Sequence, residues 1–193
     1  MRRFVLVILL LFALFALWYV FFTGPRHLEL YPDAATSPYK LPWAAGKTYL
    51  CCQSNRGVVS HRGFEEFAYD FAMPVGSDVC AARAGVISRI DVSHDGNGVH
   101  AANNYVVVDH GDGTSAWYLH LKQGGCDLKI GQQVAQGERV ALSGNVGRST
   151  MPHLHFQVVR DGELQRVSFS DVKTDRGVPR MLKLYRSENA GPK

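Results

Sequence analysis

Clusters of Lys and Arg with interleaved aromatics, the footprint of a nucleic-acid-binding surface, are missing from these 193 residues. The formal charge is +4, from 21 basic and 17 acidic residues. Arg2 and Arg3 stand ahead of an apolar segment, and without them 19 basic residues face 17 acidic ones, so no nucleic-acid partner is expected. No HExxH is present, so no glutamate beside a metal-binding helix is available as a general base. The four cysteines, Cys51, Cys52, Cys80 and Cys126, form neither a CxxC pair nor a zinc-knuckle spacing. Beyond residue 46 there is no helix-length amphipathic period, no long internal repeat and no low-complexity tract.

The longest hydrophobic run is residues 4–22, unbroken by any polar side chain. As a helix it would be about 28 Å long, close to the ~30 Å hydrocarbon core of a bilayer. A cleaved signal peptide would have a shorter apolar core ending in small residues, whereas Trp18, Tyr19, Phe21 and Phe22 stand there. Residues 1–25 are therefore expected to be an uncleaved signal anchor, one transmembrane helix in the cytoplasmic (inner) membrane. Arg2 and Arg3 on its short N-terminal side place the rest of the chain in the periplasm or at the cell exterior. Residues 26–46, with Pro32, Pro38 and Pro42 and no sustained period, read as a juxtamembrane linker. In that oxidising setting the cysteines suggest one or two disulfides, with Cys51 and Cys52 not bonded to each other and the pairing open.

From residue 47 onward, short β-branched and aromatic runs alternate with Gly, Asn and Asp. Strands are expected at 48–52, 67–73, 85–92, 105–110, 115–121, 139–142 and 153–160, in an antiparallel all-β domain. His110-Gly111-Asp112-Gly113 is a hairpin signal between two of them. Three stretches carry chemistry. In His153-Leu154-His155 the period of two puts both imidazoles on one strand face, with Leu154 behind them. Asp70 lies on the face opposite Tyr69, Phe71 and Met73; burying a carboxylate without a partner costs several kcal/mol, and a divalent cation would keep it ionised. His120 stands in Trp117-Tyr118-Leu119-His120-Leu121, where alternation assigns it the face of Tyr118.

In order and wording these stretches resemble the M23 family of zinc metallopeptidases, the lysostaphin-like or LytM-type domains that cut peptide bonds in bacterial peptidoglycan. The likeness runs from about residue 49 to 160. It is carried by YDFAMPVGSDVCAARAGVI, NNYVVVDHGDG, WYLHL, the GQQVAQGERVALSG hairpin and GRSTMPHLHFQV. Residue by residue, the resemblance implies His61, Asp70 and His155 as ligands of Zn2+ and His153 and His120 as catalytic histidines. It implies a mostly β fold, an antiparallel barrel-sandwich type domain with an open groove, over residues 47–168, with 169–193 as a C-terminal extension.

The chain departs from the family pattern in places. Eight residues separate His61 from Asp70 where three are usual, so Glu65 is a rival ligand. Asp70 is preferred because the text that follows it matches. Met151 replaces a common Gly, and Asn55 lies where the family often has a polar residue near the metal. The resemblance implies a peptidoglycan endopeptidase whose substrate is a stem peptide or crossbridge. Two imidazoles and a carboxylate leave a fourth coordination place for water, the mark of a catalytic zinc; His153 is then the expected base and His120 the orienting and oxyanion-stabilising partner, two roles that are open to exchange.

The alternative is a catalytically inactive LytM-type domain that activates a cell-wall amidase as a regulatory protein partner, although such domains lose ligands or catalytic histidines and all five are present here. A biotinyl or lipoyl carrier, suggested by the GQQVAQGERVA hairpin, lacks its modifiable Lys. His27, His94, His100 and His110 are not expected to bind metal, and the tail that ends SENAGPK is expected to fray.

Overall fold

The computed structural model describes residues 2–22, 25–57 and 60–192. Helix α1 (Arg2–Phe22) comes first. Eleven strands follow among the described residues: β1 (Thr48–Gln53), β2 (Tyr69–Ala72), β3 (Asp78–Cys80), β4 (Gly85–Asp91), β5 (Tyr105–Asp109), β6 (Thr114–Leu119), β7 (Gln133–Val134), β8 (Arg139–Leu142), β9 (His153–Arg160), β10 (Glu163–Leu164) and β11 (Leu184–Arg186). All seven expected strands are there, with ends within two residues of expectation. The short β3, β7, β10 and β11 were not expected as strands, because two or three residues are too few to display a period.

Nine strands make one sheet in the order β11-β1-β2-β9-β6-β5-β4-β7, with β10 paired to β9; β3 and β8 make a separate ribbon. Pairing between strands is antiparallel throughout. The large sheet ends at β11 and β7 without closing, which corrects the barrel half of the expectation. Instead, Val79 of β3 and Val140 and Ala141 of β8 pack into the same core as Ile87, Val106 and Val108 of the large sheet. Alternation in β6 buries Thr114, Ala116 and Tyr118 and leaves Ser115, Trp117 and Leu119 partly exposed. The core face of the central strands carries Tyr69, Phe71, Tyr118, Leu154 and Phe156, all fully buried. The opposite face of β2 and β9 is therefore free to carry polar groups.

Two parts of the chain pack more closely than expected. Residues 26–46 are not a loose linker, for Tyr31, Tyr39, Leu41 and Trp43 belong to the core. Trp43 meets the Phe71 ring edge-on at 4.8 Å and donates its Nε1–H to Lys47 O at 3.0 Å. The C-terminal segment is clamped as well. Strand β11 pairs with β1, and Asn189, fully buried, donates to both Leu41 O and Ala81 O at 3.0 Å. Trp43→Ala should cost about 3–5 kcal/mol of folding stability. Chemical denaturation would check this, and a change under 1 kcal/mol would return residues 26–46 to a linker.

Two further expectations are corrected. All four cysteines are free thiols. Consecutive Cys51 and Cys52 point to opposite sides of β1, and their thiols lie against Gln53 O and Asp70 O, both at 3.4 Å. As to the transmembrane helix, among the described residues no helix is long and apolar enough to cross a membrane. The part of α1 whose side chains are described, residues 4–15, is exposed.

Candidate metal centre

Strands β2 and β9 pair so that Asp70 faces His155 and Ala72 faces His153, while Tyr69 and Phe71 face Phe156 and Leu154. A period of two then puts Asp70, His153 and His155 on one side of the sheet and the aromatic core on the other. His61 arrives from the loop after β1 and is fully buried. Among the described residues, His61, Asp70 and His155 offer ligand atoms all within 4.8 Å of one another. These are the three residues expected to share an ion.

Each histidine of the site has one ring nitrogen tied to an oxygen that can only accept. His61 Nδ1 lies 2.8 Å from Ser54 O, His153 Nδ1 2.8 Å from Met151 O, His120 Nδ1 2.8 Å from Val146 O, and His155 Nε2 3.0 Å from Gln157 Oε1. Carbonyl oxygens accept, so those nitrogens carry the proton and the opposite nitrogens present lone pairs. His61 Nε2 lies 3.1 Å from Asp70 Oδ2, and His155 Nδ1 lies 2.9 Å from Asp70 Oδ1. A lone pair held this close to a carboxylate oxygen is repelled unless a proton or a cation lies between them. His61 Nε2 is buried and has no hydrogen-bond partner, which is costly in a site without a cation. Two imidazole nitrogens and one carboxylate, each with a lone pair turned inward, fit a divalent metal.

The charges answer to the same geometry. Burial pushes the Asp70 carboxyl upward, but the neighbouring His155 and His61 outweigh it and hold the group well below the usual carboxylate range. For His155, burial pushes down and Asp70 pushes up more, leaving it above the ordinary imidazole value. His120 goes the other way. Burial first, then the neighbouring His153 and His155, bring it down to about 3.

His120 reaches this cluster by breaking the strand period. Leu119 pairs with His155 and Tyr118 with Phe156, so alternation would send His120 into the core beside Tyr118. Its backbone is left-handed instead, with φ of 62°, and its ring lies 4.5 Å from that of His153 and 5.8 Å from that of His155. The expectation that it shares a face with Tyr118 is thus corrected. Asn103 Oδ1 accepts the His120 N–H at 3.0 Å and holds the turn. Gly144 makes room beside it, since a Cβ there would come 2.7 Å from His120 O.

Asp70, His120, His153 and His155 line one cavity of about 320 Å³, with Gln53, Glu65, Val99, Asn103 and Arg148 around them, and the fully buried His61 stands beside Asp70. Glu65 lines the cavity but is not among the three grouped ligands. Asn55 points elsewhere: its Oδ1 accepts from Tyr31 OH and its Nδ2 donates to Ala68 O, both at 2.7 Å. Gln157 was missed by sequence reasoning. Only its position two residues past His155, on the same strand face, signals it.

Comparison with known proteins points the same way. The description "Peptidase family M23" matches residues 65–167, a span that includes Asp70, His120, His153 and His155 and begins after His61. Peptidoglycan DD-endopeptidase ShyA of Vibrio cholerae serotype O1 is 37% identical over 111 residues, which are 58% of this chain and 24% of that protein. Glycyl-glycine endopeptidase ALE-1 of Staphylococcus capitis is 35% identical over 95 residues, 49% of this chain and 25% of that one. The chain thus matches about a quarter of the length of these relatives. Among solved structures, the metalloprotease pseudoalterin superposes with a TM-score of 0.51 at 23% identity, over 68% of this chain and 75% of that one, a likeness of fold.

Proposed function

The chain belongs to peptidase family M23, and from that premise we propose that it is a zinc-dependent endopeptidase acting on peptidoglycan stem peptides or crossbridges. The observation that carries the reading is the convergence of His61, Asp70 and His155 within 4.8 Å, with the His61 Nε2 lone pair buried and unpartnered. His61 Nε2, the Asp70 carboxylate and His155 Nδ1 would hold the zinc. When bound, zinc supplies a Lewis acid for the scissile carbonyl and lowers the pKa of water from 15.7 toward about 7.

His153 and His120 both act on the attacking water. His153 Nε2 lies 3.7 Å from Asp70 Oδ1 and, with Nδ1–H fixed on Met151 O, accepts a proton from the attacking water and returns it to the leaving amine. His120 stays neutral, and with its Nδ1–H on Val146 O it too presents an acceptor into the cavity. That tautomer has no N–H left for a developing oxyanion, so His120 orients the water; the oxyanion half of its expected role does not fit. An inactive activator domain is the weaker reading, since all five side chains converge.

The substrate follows from the named activities of the relatives, which are peptidoglycan DD-endopeptidase and glycyl-glycine endopeptidase. We place the domain outside the cytoplasmic membrane, where peptidoglycan lies. Digestion of the chain by protease added to intact spheroplasts would support this placement, and protection until the cells are lysed would contradict it. Digestion of purified peptidoglycan followed by mass measurement tests the activity. New peptide amino termini are expected, whereas cut glycan with intact peptides would overturn the proposal.

Acid should disarm the site through the metal. His155 holds its proton above the ordinary imidazole value in the metal-free protein, so zinc must displace a proton that a free imidazole would already have lost. Zinc occupancy therefore begins to fall above pH ~6.5 and continues to fall below it. His120 remains neutral down to about 3, so its protonation takes no part in this loss. Zinc retained in full well below pH ~6.5 would contradict this.

A further inference from the structure

We propose that Gln53 is a positioning residue of the metal centre and that residue 57 is glycine to make room for it. This inference rests on the zinc site proposed above. Strand β1 carries a bulge: Cys51 pairs with Phe71, yet Gln53 pairs with Asp70. A regular ladder would set Cys52 against Asp70 and Gln53 against Tyr69. The extra residue brings Gln53 opposite the carboxylate, an instance of a bulge re-aiming a side chain beside a functional site.

The Gln53 side chain is buried, with 6% exposure. Its Nε2 donates to Asp70 Oδ2 at 2.9 Å and to Ser60 Oγ at 2.8 Å, and its Oε1 accepts from Ser60 N at 3.4 Å. One amide thus grips the carboxylate and the residue that precedes His61. Asp70 Oδ2 is the oxygen that faces His61 Nε2, so Gln53 sets the distance between two ligands, one from a loop and one from a strand. Its N–H also takes up a lone pair of Asp70 and leaves the carboxylate in one orientation toward the ion.

Gly57 supplies an independent observation. A Cβ there would come within 2.8 Å of Gln53 Cδ and Oε1. Its backbone is outside the left-handed region, so the glycine is required for space and not for conformation. Gly57 thus leaves the space that this glutamine fills.

The test is zinc affinity of the full chain, read by competition with a chelator of known affinity, alongside the thermal midpoint of the metal-free protein. Gln53→Ala should weaken zinc binding about 10- to 100-fold. Gln53→Glu keeps the shape and replaces the donor with an acceptor facing Asp70, and should weaken it at least as much. Gly57→Ala should weaken it by displacing Gln53. In the Gln53→Ala/Gly57→Ala double variant the second change should add little, because the space is already vacated. Wild-type affinity in Gln53→Ala or Gln53→Glu would overturn the proposal, as would fully additive losses in the double variant. A wild-type chain that takes up no zinc would overturn the metal site itself, so the two failures are distinguishable.

Discussion

His155→Ala is expected to leave a folded protein that no longer retains zinc and hydrolyses peptidoglycan at least about 10³-fold more slowly. His155 contributes the Nδ1 lone pair that faces Asp70, and its other nitrogen is held by Gln157. No other imidazole can replace it without leaving its own backbone carbonyl. The loss removes several kcal/mol of transition-state stabilisation, each 1.36 kcal/mol being tenfold in rate. Folding should survive, because the core face of β9 is formed by Leu154 and Phe156, which the change leaves in place. Metal analysis beside a peptidoglycan digest checks both parts, and equal zinc in variant and wild type would remove His155 from the ligand set.

His153→Ala and His120→Ala should behave differently. Both should keep zinc at the wild-type ratio while kcat falls about 10²- to 10⁴-fold, the usual contribution of a positioned general base. The two rings are 4.5 Å apart and serve the same water, so the double variant should lose far less than the product of the single losses. Single-turnover hydrolysis at saturating zinc separates the effects. Loss of zinc from either variant would make that histidine a ligand instead of a proton carrier.

The site was legible where strand period decides it. His153 and His155 are two apart, and Asp70 alternates with Tyr69 and Phe71, so their common face could be read directly. His120 could be read as a candidate but not placed, because a single left-handed residue reverses its side and no local pattern announces that reversal. The glutamines were harder still, since a side-chain amide acquires meaning only from its partner. Gln53 finds that partner through a bulge, which changes register without changing composition.

The fold shows the same division. Central strands with alternating burial were visible, whereas residues 26–46 look like a proline-rich spacer until Trp43 and Leu41 are seen against a sheet formed much later in the chain. The cysteines were misread because an oxidising compartment permits disulfides without requiring them. Their bonding depends on which elements the fold brings side by side.

Anomalous diffraction at the zinc edge, from crystals of the zinc-loaded protein, addresses the heart of the matter. One strong peak bounded by His61 Nε2, the Asp70 carboxylate and His155 Nδ1 is the predicted result. No peak there, or zinc held by other residues, would contradict it.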